Sequence, residues 1–455
     1  MGLLFCDFKL DNVIQTQHSL KLIDLGGVYR VDEPASAIFG TVGYQAPEIA
    51  AAGPSIPSDL FTVARTLAVL CIDFRGYQST FRFTLPPQDS VPLFERYDSL
   101  YRFLVRGTAP DADDRFQSAE EMADQLYGVL REVVADQEGR PVPAPSTLFT
   151  GALRAGIELP DWRILPRPQV SSDDPSAGYL ATITATDPEQ MIGQLRAAPE
   201  HTVEVELRLA AAMIENGDSE GAEALLTTIE ASDRWEWRAG WFRGVAALAR
   251  KRAEPAAESF TTVYHSVPGE LAPKLALALA YESAGEAAEA ARWYEIVSRT
   301  DPSVTSASFG LARSRLILGD RAGAIAAYER VPDSSSGYID AQTARIRCLS
   351  TANGAGDVTL DELLAAGSIL QALPLTGEQR DRLTADLLGT ALRLTLEGAA
   401  SDDGHTSLLG HRLVERDLRF GLERSYRALA RRAGSRAERF RLVDEANHTR
   451  PRTWT

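Results

Sequence analysis

The sequence predicts a mainly α chain: an α-rich front segment with short β-hairpins, then an α-solenoid, then a C-terminal helical segment. Three observations predict it. Small and aromatic residues recur at a 34-residue step between about 200 and 335. A strand–turn–strand pattern stands near the front, Val13-Ile-Gln-Thr then Leu20-Lys-Leu-Ile23. Elsewhere, capping side chains introduce apolar runs of helical length.

Bulk properties bound the reading. The chain has 455 residues, a formal net charge of −16, 44% hydrophobic and 24% charged residues. At roughly 150 residues per domain this is a multidomain globular chain with room for real cores, and wholesale disorder is excluded. Apolar runs such as Leu67-Ala-Val-Leu-Cys-Ile72 fall far short of the ~20 residues that span a bilayer, so no membrane span is expected. The acid excess argues against nucleic acid as a partner. Cys6, Cys71 and Cys348 form no pair at metal or disulfide spacing, which suits a reducing cytoplasm. His405 and His411 lack the spacing of two ligands on one helical face. The opening Met1-Gly-Leu-Leu-Phe-Cys6 fits neither myristoylation, which wants Ser or Thr at position 6, nor secretion, since Asp7 interrupts the apolar run. It reads as a buried strand.

Four parts follow from composition. In residues 1–135, Ser58-Asp59 caps an apolar run through Ile72, and Ser118-Ala-Glu-Glu121 opens a helix reaching about Val134. Residues 136–190 are rich in Pro and Ser, as in Pro141-Val-Pro-Ala-Pro-Ser146 and Ser171-Ser-Asp-Asp-Pro-Ser176, and read as a linker that wraps or extends. Residues 191–335 carry the repeat, and 336–455 continue as helices outside its phase. Arginines from Arg412 to Arg441 form either a basic face for an acidic partner or, more simply, a solvated helix face with pairs such as Glu423–Arg427.

The repeat is read from four registers. The step aligns Ala210, Gly244, Ala278 and Ala312; then Ala222, Ala256, Ala290 and Ala324; then Leu226, Phe260, Tyr294 and Tyr328; then Ile229, Val263, Val297 and Val331. Small residues let antiparallel helices touch, and the larger ones fill the groove beside them. Gly217, Gly285 and Gly319 mark one turn, with Lys251 as the exception, while Pro268 and Pro302 mark the other. This pattern resembles the tetratricopeptide repeat. A generic helical bundle is the bland alternative.

The front of the chain carries chemistry. Asp7-Phe-Lys9-Leu-Asp-Asn12, Asp24-Leu-Gly26, Gly40-Thr41 and Ala46-Pro47-Glu48 follow in order within 48 residues. They resemble the catalytic loop, the DFG motif and the APE motif of a eukaryotic-type protein kinase C-terminal lobe. The resemblance implies that Asp7 orients or deprotonates the substrate hydroxyl and that Lys9 neutralises the transferring phosphoryl group. It also implies that Asn12 and Asp24 bind the cofactor ATP through Mg²⁺, and that Thr41 braces Asp7 and Lys9. Glu48, its partner Arg115 and the helix residue Asp59 are implied as structural.

Departures from the family matter. Cys6 stands where an arginine usually clamps a phosphorylated loop, so activation by that route is not expected. Tyr29 and Ser36 are the few hydroxyls in the short segment that follows Leu25-Gly26. No glycine-rich loop with a following strand lysine occurs in the 455 residues, nor an adenine-binding hinge. The chain therefore reads as a lobe cut through its active site and inactive by itself.

Kinase-like, linker, repeat and helical parts in this order resemble the C-terminal part of the actinobacterial serine/threonine protein kinase G family. Asp24-Leu-Gly-Gly-Val28, Thr41-Val-Gly-Tyr-Gln-Ala-Pro-Glu-Ile49 and Pro268-Gly-Glu-Leu-Ala-Pro-Lys-Leu275 carry the likeness. That resemblance implies a cytoplasmic kinase acting on a protein substrate, a forkhead-associated-domain regulator of glutamate metabolism, with homodimer formation through the repeats. The competing reading is a non-catalytic scaffold that binds or dimerises through 191–335.

Overall fold

Short capping side chains, glycines and prolines set the element boundaries, starting with the first long helix. Ser55 Oγ accepts from Ser58 N at 3.2 Å while Ser58 Oγ accepts from Ser55 N at 2.8 Å. This reciprocal cap sits three residues before the position expected from Ser58-Asp59. Pro57 fits the first helical turn, where no N–H is needed, so the helix can begin ahead of it. Asp59 is thereby left free for another task. Ser118 caps its helix as expected, accepting from Glu121 N at 3.0 Å, and that helix runs on to Glu138.

The computed structural model describes residues 2–17, 19–31, 40–151, 160–351, 358–399 and 406–451. They fall into two compact units. One takes in the described residues of Met1–Leu153, Trp162–Ala284 and Arg299–Asp301, the other those of Arg154–Asp161, Gly285–Ser298 and Pro302–Thr455. The units cut the chain elsewhere than composition does.

The first unit opens with two antiparallel ribbons. β1 (Leu3–Leu4) pairs with β4 (Tyr29–Arg30), and β2 (Val13–Gln15) pairs with β3 (Leu20–Leu22) in the register Val13↔Leu22 and Gln15↔Leu20. Helices α1 (Ile49–Ala52), α2 (Ile56–Cys71), α3 (Pro92–Arg96), α4 (Asp98–Gly107) and α5 (Ala119–Glu138) follow. Their apolar faces meet around Ala64, Phe94, Phe103, Leu104 and Phe116. Next, the Pro-rich stretch wraps. Phe149 is buried against Trp237 and Trp241, and bridges to Pro168. Then come α6 (Ala177–Thr182), α7 (Pro188–Arg196), α8 (Val203–Glu215), α9 (Ser219–Ser232), α10 (Trp237–Ala249), α11 (Ala253–Ser266) and α12 (Leu271–Ala284).

The repeat phase has a steric basis. A Cβ at Gly244 would lie 2.5 Å from the Phe260 ring, so the small register is what lets α10 meet α11. Gly217, Gly285 and Gly319 take φ of +85°, +81° and +77°. Lys251 holds the same turn at φ +58° despite its side chain, a conformation that costs about 1–2 kcal/mol for an L-residue.

Within this unit the kinase-like segment and the repeats share a buried contact. Lys274 of α12 is fully buried, and its Nζ donates to Glu132 Oε2 of α5 at 2.7 Å and to Pro268 O at 2.8 Å. Tyr264 Oη donates to Asp98 at 2.8 Å. The α5 backbone and the Gly269 turn touch directly: a Cβ on Gly128 would strike the Gly269 backbone, and one on Gly269 would strike the backbone of Gln125.

The second unit holds α13 (Ala287–Thr300) up to Ser298, α14 (Thr305–Ile317), α15 (Arg321–Glu329), α16 (Tyr338–Ser350), α17 (Leu360–Ala372) and α18 (Gly377–Leu396). A hairpin of β5 (Ser407–Leu408) and β6 (His411–Arg412) precedes α19 (Glu415–Arg432) and α20 (Arg436–Thr449). Leu363, Leu370, Leu387, Leu388 and Leu422 form its core. Several of the arginines expected there are in local pairs, Arg419–Glu415, Arg427–Glu423 and Arg412–Asp417, while Arg432 reaches Asp381 of α18.

Lys251→Gly is expected to raise the stability of the repeat region by up to about 1 kcal/mol, because glycine adopts this turn without the Cβ penalty. Urea unfolding that shows the variant unchanged or weaker refutes the strain assigned to this turn.

Candidate active site

The loop before β2 is held from below by α2. Asp59, one turn into that helix, accepts Phe5 N at 2.8 Å on Oδ2 and Cys6 N at 2.9 Å on Oδ1. Burial raises the Asp59 carboxyl above its usual range, and the two backbone N–H groups oppose that rise. Two turns further on the same face, Thr66 Oγ1 donates to Phe8 O at 2.8 Å. Cys6 sits between these anchors at φ +63°. Burial first, then Asp59 and Asp7, pushes its thiol up to about 12.

That support presents a closed polar network. Lys9 Nζ donates to Asp7 Oδ2 at 2.7 Å and to Thr41 Oγ1 at 2.6 Å. Thr41 Oγ1 in turn donates to Asp7 Oδ1 at 2.9 Å. Asn12, buried, sends Nδ2 to Asp7 O at 2.9 Å and to Asp7 Oδ2 at 3.0 Å. Thus residues 7, 9, 12 and 41, separated by up to 34 positions, come together as the motif order predicts.

Asp24 follows β3 in the chain. It stands at φ +59° just before the 3₁₀ turn Leu25–Gly27. Ile23 N donates to Asn12 O at 2.9 Å, tying this segment to the loop. A Cβ on Gly27 would lie 3.8 Å from Asp7 Cβ, which sets the closeness of the turn to the network. Asn12 gives its amide N–H groups to Asp7, which leaves its Oδ1 as an acceptor, and the Asp24 carboxylate is a second oxygen ligand in the same segment. Two hard oxygens fit Mg²⁺, which takes one or two protein oxygens and fills its shell with phosphates and water. Among the described residues no group of three His, Cys, Asp or Glu could hold a metal.

The segment after Thr41 is pinned by two buried guanidinium groups. Arg115 makes a bidentate pair with Glu48 at 2.7 and 2.8 Å, donates to the carbonyls of Ala109 and Pro110, and lies over the Phe61 ring. The sequence singled out this pair. It missed Arg65, which has no exposed surface and gives its N–H groups to the carbonyls of Gly43, Tyr77, Phe81 and Thr84. Burial lowers it to about 10. An arginine inside the apolar run Leu60–Ile72 was the available signal. Tyr29 lies on β4, while Ser36 and His405 fall outside the described residues.

Three comparisons say what the chain is similar to. A protein-family profile described as "Protein kinase G tetratricopeptide repeat" matches residues 162–453. The chain is 36% identical to "Serine/threonine-protein kinase PknG" of Mycolicibacterium smegmatis, over 99% of this chain and 63% of that protein. It is also 36% identical to the protein of the same name from Mycobacterium leprae, over 99% of this chain and 62% of that one. The chain thus spans a little under two thirds of the length of these curated relatives. A solved tetratricopeptide repeat protein from Parabacteroides merdae aligns at 10% identity and a TM-score of 0.30, over 57% of this chain and 91% of that one, too loosely to place any residue.

Glu48→Ala leaves the Arg115 charge buried without its carboxylate, and the expected loss is about 3 kcal/mol. Thermal unfolding that shifts by less than a degree or two sinks this assignment. Burial raises the thiols of Cys6, Cys71 and Cys348, that of Cys6 up to about 12, so each offers less thiolate at pH 8 than a free cysteine while the chain is folded. A thiol reagent at pH 8 is expected to label Cys6 and Cys348, the two buried ones, far faster once urea is added; fast labelling of Cys6 in native protein contradicts its burial.

Proposed function

Because the chain belongs to the PknG family of serine/threonine kinases, we propose that residues 5–48 carry out the protein side of phosphoryl transfer from ATP to a Ser or Thr of a protein substrate. The closed network on Asp7 carries this reading. An ionised carboxylate offers about four acceptor sites. Lys9 and Asn12 occupy Oδ2, while Thr41 alone occupies Oδ1. Oδ1 therefore keeps the free lone pair and is the atom that takes the substrate hydroxyl proton.

Lys9 spends two of its three N–H donors on Asp7 and Thr41. The third is left for a phosphoryl oxygen, a cation placed where negative charge develops. Asn12 Oδ1 and Asp24 would hold magnesium, which when bound neutralises the phosphate charge. Thr41, braced on both Asp7 and Lys9, stands beside the hydroxyl that attacks and orients it in line. Cys6, with its protonated thiol in place of an arginine, gives no clamp for a phosphorylated loop, so the site needs no such switch.

The setting proposed is cytoplasmic, supported by three unpaired cysteines. Among the described residues no helix is long and apolar enough to cross a membrane. The first substrate to assay is a regulator with a forkhead-associated domain, on the strength of the family likeness alone. A scaffold role, binding or dimerising through 191–335, is the second reading; its support is the well-packed repeat, and light scattering tests the dimer.

The 455-residue polypeptide is expected to transfer no phosphate by itself, because the glycine-rich loop and strand lysine that grip ATP are not among its residues. Fused behind the unmatched remainder of the Mycolicibacterium smegmatis relative, it is expected to label a Ser/Thr substrate. Asp7→Asn in that fusion should lower the rate about 10²- to 10⁴-fold. A fusion that is inactive, or one indifferent to Asp7→Asn, overturns the reading.

A further inference from the structure

Away from the kinase-like segment, the first unit has a half-open cavity of about 530 Å³ between the wrapped stretch at 167–170 and helices α7, α8 and α10. This is within the range of about 300–1,000 Å³ typical of small-molecule sites. Much of its lining is apolar: Val170, Met191, Leu207, Ala211 and Phe242.

Its charges are unevenly satisfied. Arg238 is matched by Glu236 at 2.7 and 2.6 Å and by Glu204 at 2.5 Å. Arg167 meets Glu215 at 2.5 Å. Among the described residues Arg208 has no carboxylate partner. It donates Nη1 to Leu180 O at 3.0 Å and Nη2 to Ile183 O at 3.4 Å, and its other N–H groups have no acceptor among those residues. Burial first, then the neighbouring cation Arg167, lowers its pKa. A partly buried arginine on the wall of a cavity, with N–H donors to spare, is a site for an oxyanion. The apolar walls call for a hydrocarbon body behind that anion.

The walls are also fixed before any ligand arrives. Thr150 N donates to Arg167 O and Gln169 N to Leu148 O, each at 2.8 Å. The Gln169 amide holds the carbonyls of Ser146 and Phe149, both at 2.9 Å. We propose that this cavity binds a small amphipathic carboxylate, its carboxylate on Arg208 and its hydrocarbon body against Leu207 and Phe242.

Calorimetric titration of the 455-residue protein with octanoate, with octanol and with a short peptide ending in a free carboxylate tests this. Octanoate is expected to bind saturably, about tenfold more tightly than octanol, since a charge-assisted bond separates them. Arg208→Gln should reduce octanoate to the level of octanol. Ala211→Phe, which fills the cavity and removes none of the bonds of Arg208, should abolish both. It keeps the test open if circular dichroism shows that Arg208→Gln does not fold. Equal binding of octanoate and octanol, indifference to both substitutions, or no saturable binding overturns the proposal. Tighter binding of the peptide overturns it too, in favour of a protein terminus as occupant.

Discussion

One half-buried carboxylate under the loop that carries Asp7 sets the geometry on which the candidate site depends. Asp59 takes two consecutive backbone N–H groups, from Phe5 and Cys6, on its two oxygens. Two such donors fix both the position and the direction of the chain that enters Asp7. The raised carboxyl of Asp59 shows what this arrangement costs: burial disfavours its charge, and the two N–H bonds recover part of that loss. Without Asp59 those N–H groups would be buried and unpaired, at about 1–3 kcal/mol each. The left-handed Cys6 would then have nothing to hold it.

The surrounding structure follows one electrostatic rule: bring a cation inside and match its donors with acceptors. Arg115 is matched by a carboxylate and carbonyls, Arg65 by carbonyls alone, and Lys274 by one carboxylate and one carbonyl. Each ties together segments far apart in sequence. Arg65 fixes the loop around Gly43 to the loop around Phe81, and Lys274 fixes α12 to α5. Hydrophobic burial holds the helices together but is non-directional. Register between segments comes from these fans of hydrogen bonds. They also explain why polar residues stand inside apolar helical runs.

How much of this was legible depended on whether a signal was local or periodic. The helical repeat was legible because its cause is steric and recurs: Gly244 under Phe260 is a spacing as well as a contact. Even its exception was informative, since Lys251 keeps the turn that glycine takes elsewhere. The network of Asp7, Lys9, Asn12 and Thr41 was legible from motif order, as was the Glu48–Arg115 pair. The start of α2 was misplaced because Ser58 looks like a cap but serves as the third residue of one. Arg65, Thr66 and Arg208 were not assigned, since their partners are mainly backbone carbonyls, which carry no residue identity. No sequence pattern announces a carbonyl.

Backbone strain in this chain is distributed with the same logic. Four described non-glycine residues take positive φ: Cys6, Asp24, Lys251 and Leu409. The first two flank the candidate site, one on each side of Asn12, and both are held by bonds from outside their own turn. Asp59 holds Cys6, and the Ile23 to Asn12 bond holds the segment that ends in Asp24. Lys251 instead keeps its turn by local bonds, Lys251 N to Leu248 O and Arg252 N to Ala247 O. A left-handed residue with only local support can be relieved by glycine at no loss. One held from elsewhere in the fold is there because the fold imposes it, and at Asp7 the imposed geometry leaves Oδ1 with a single bond, from Thr41.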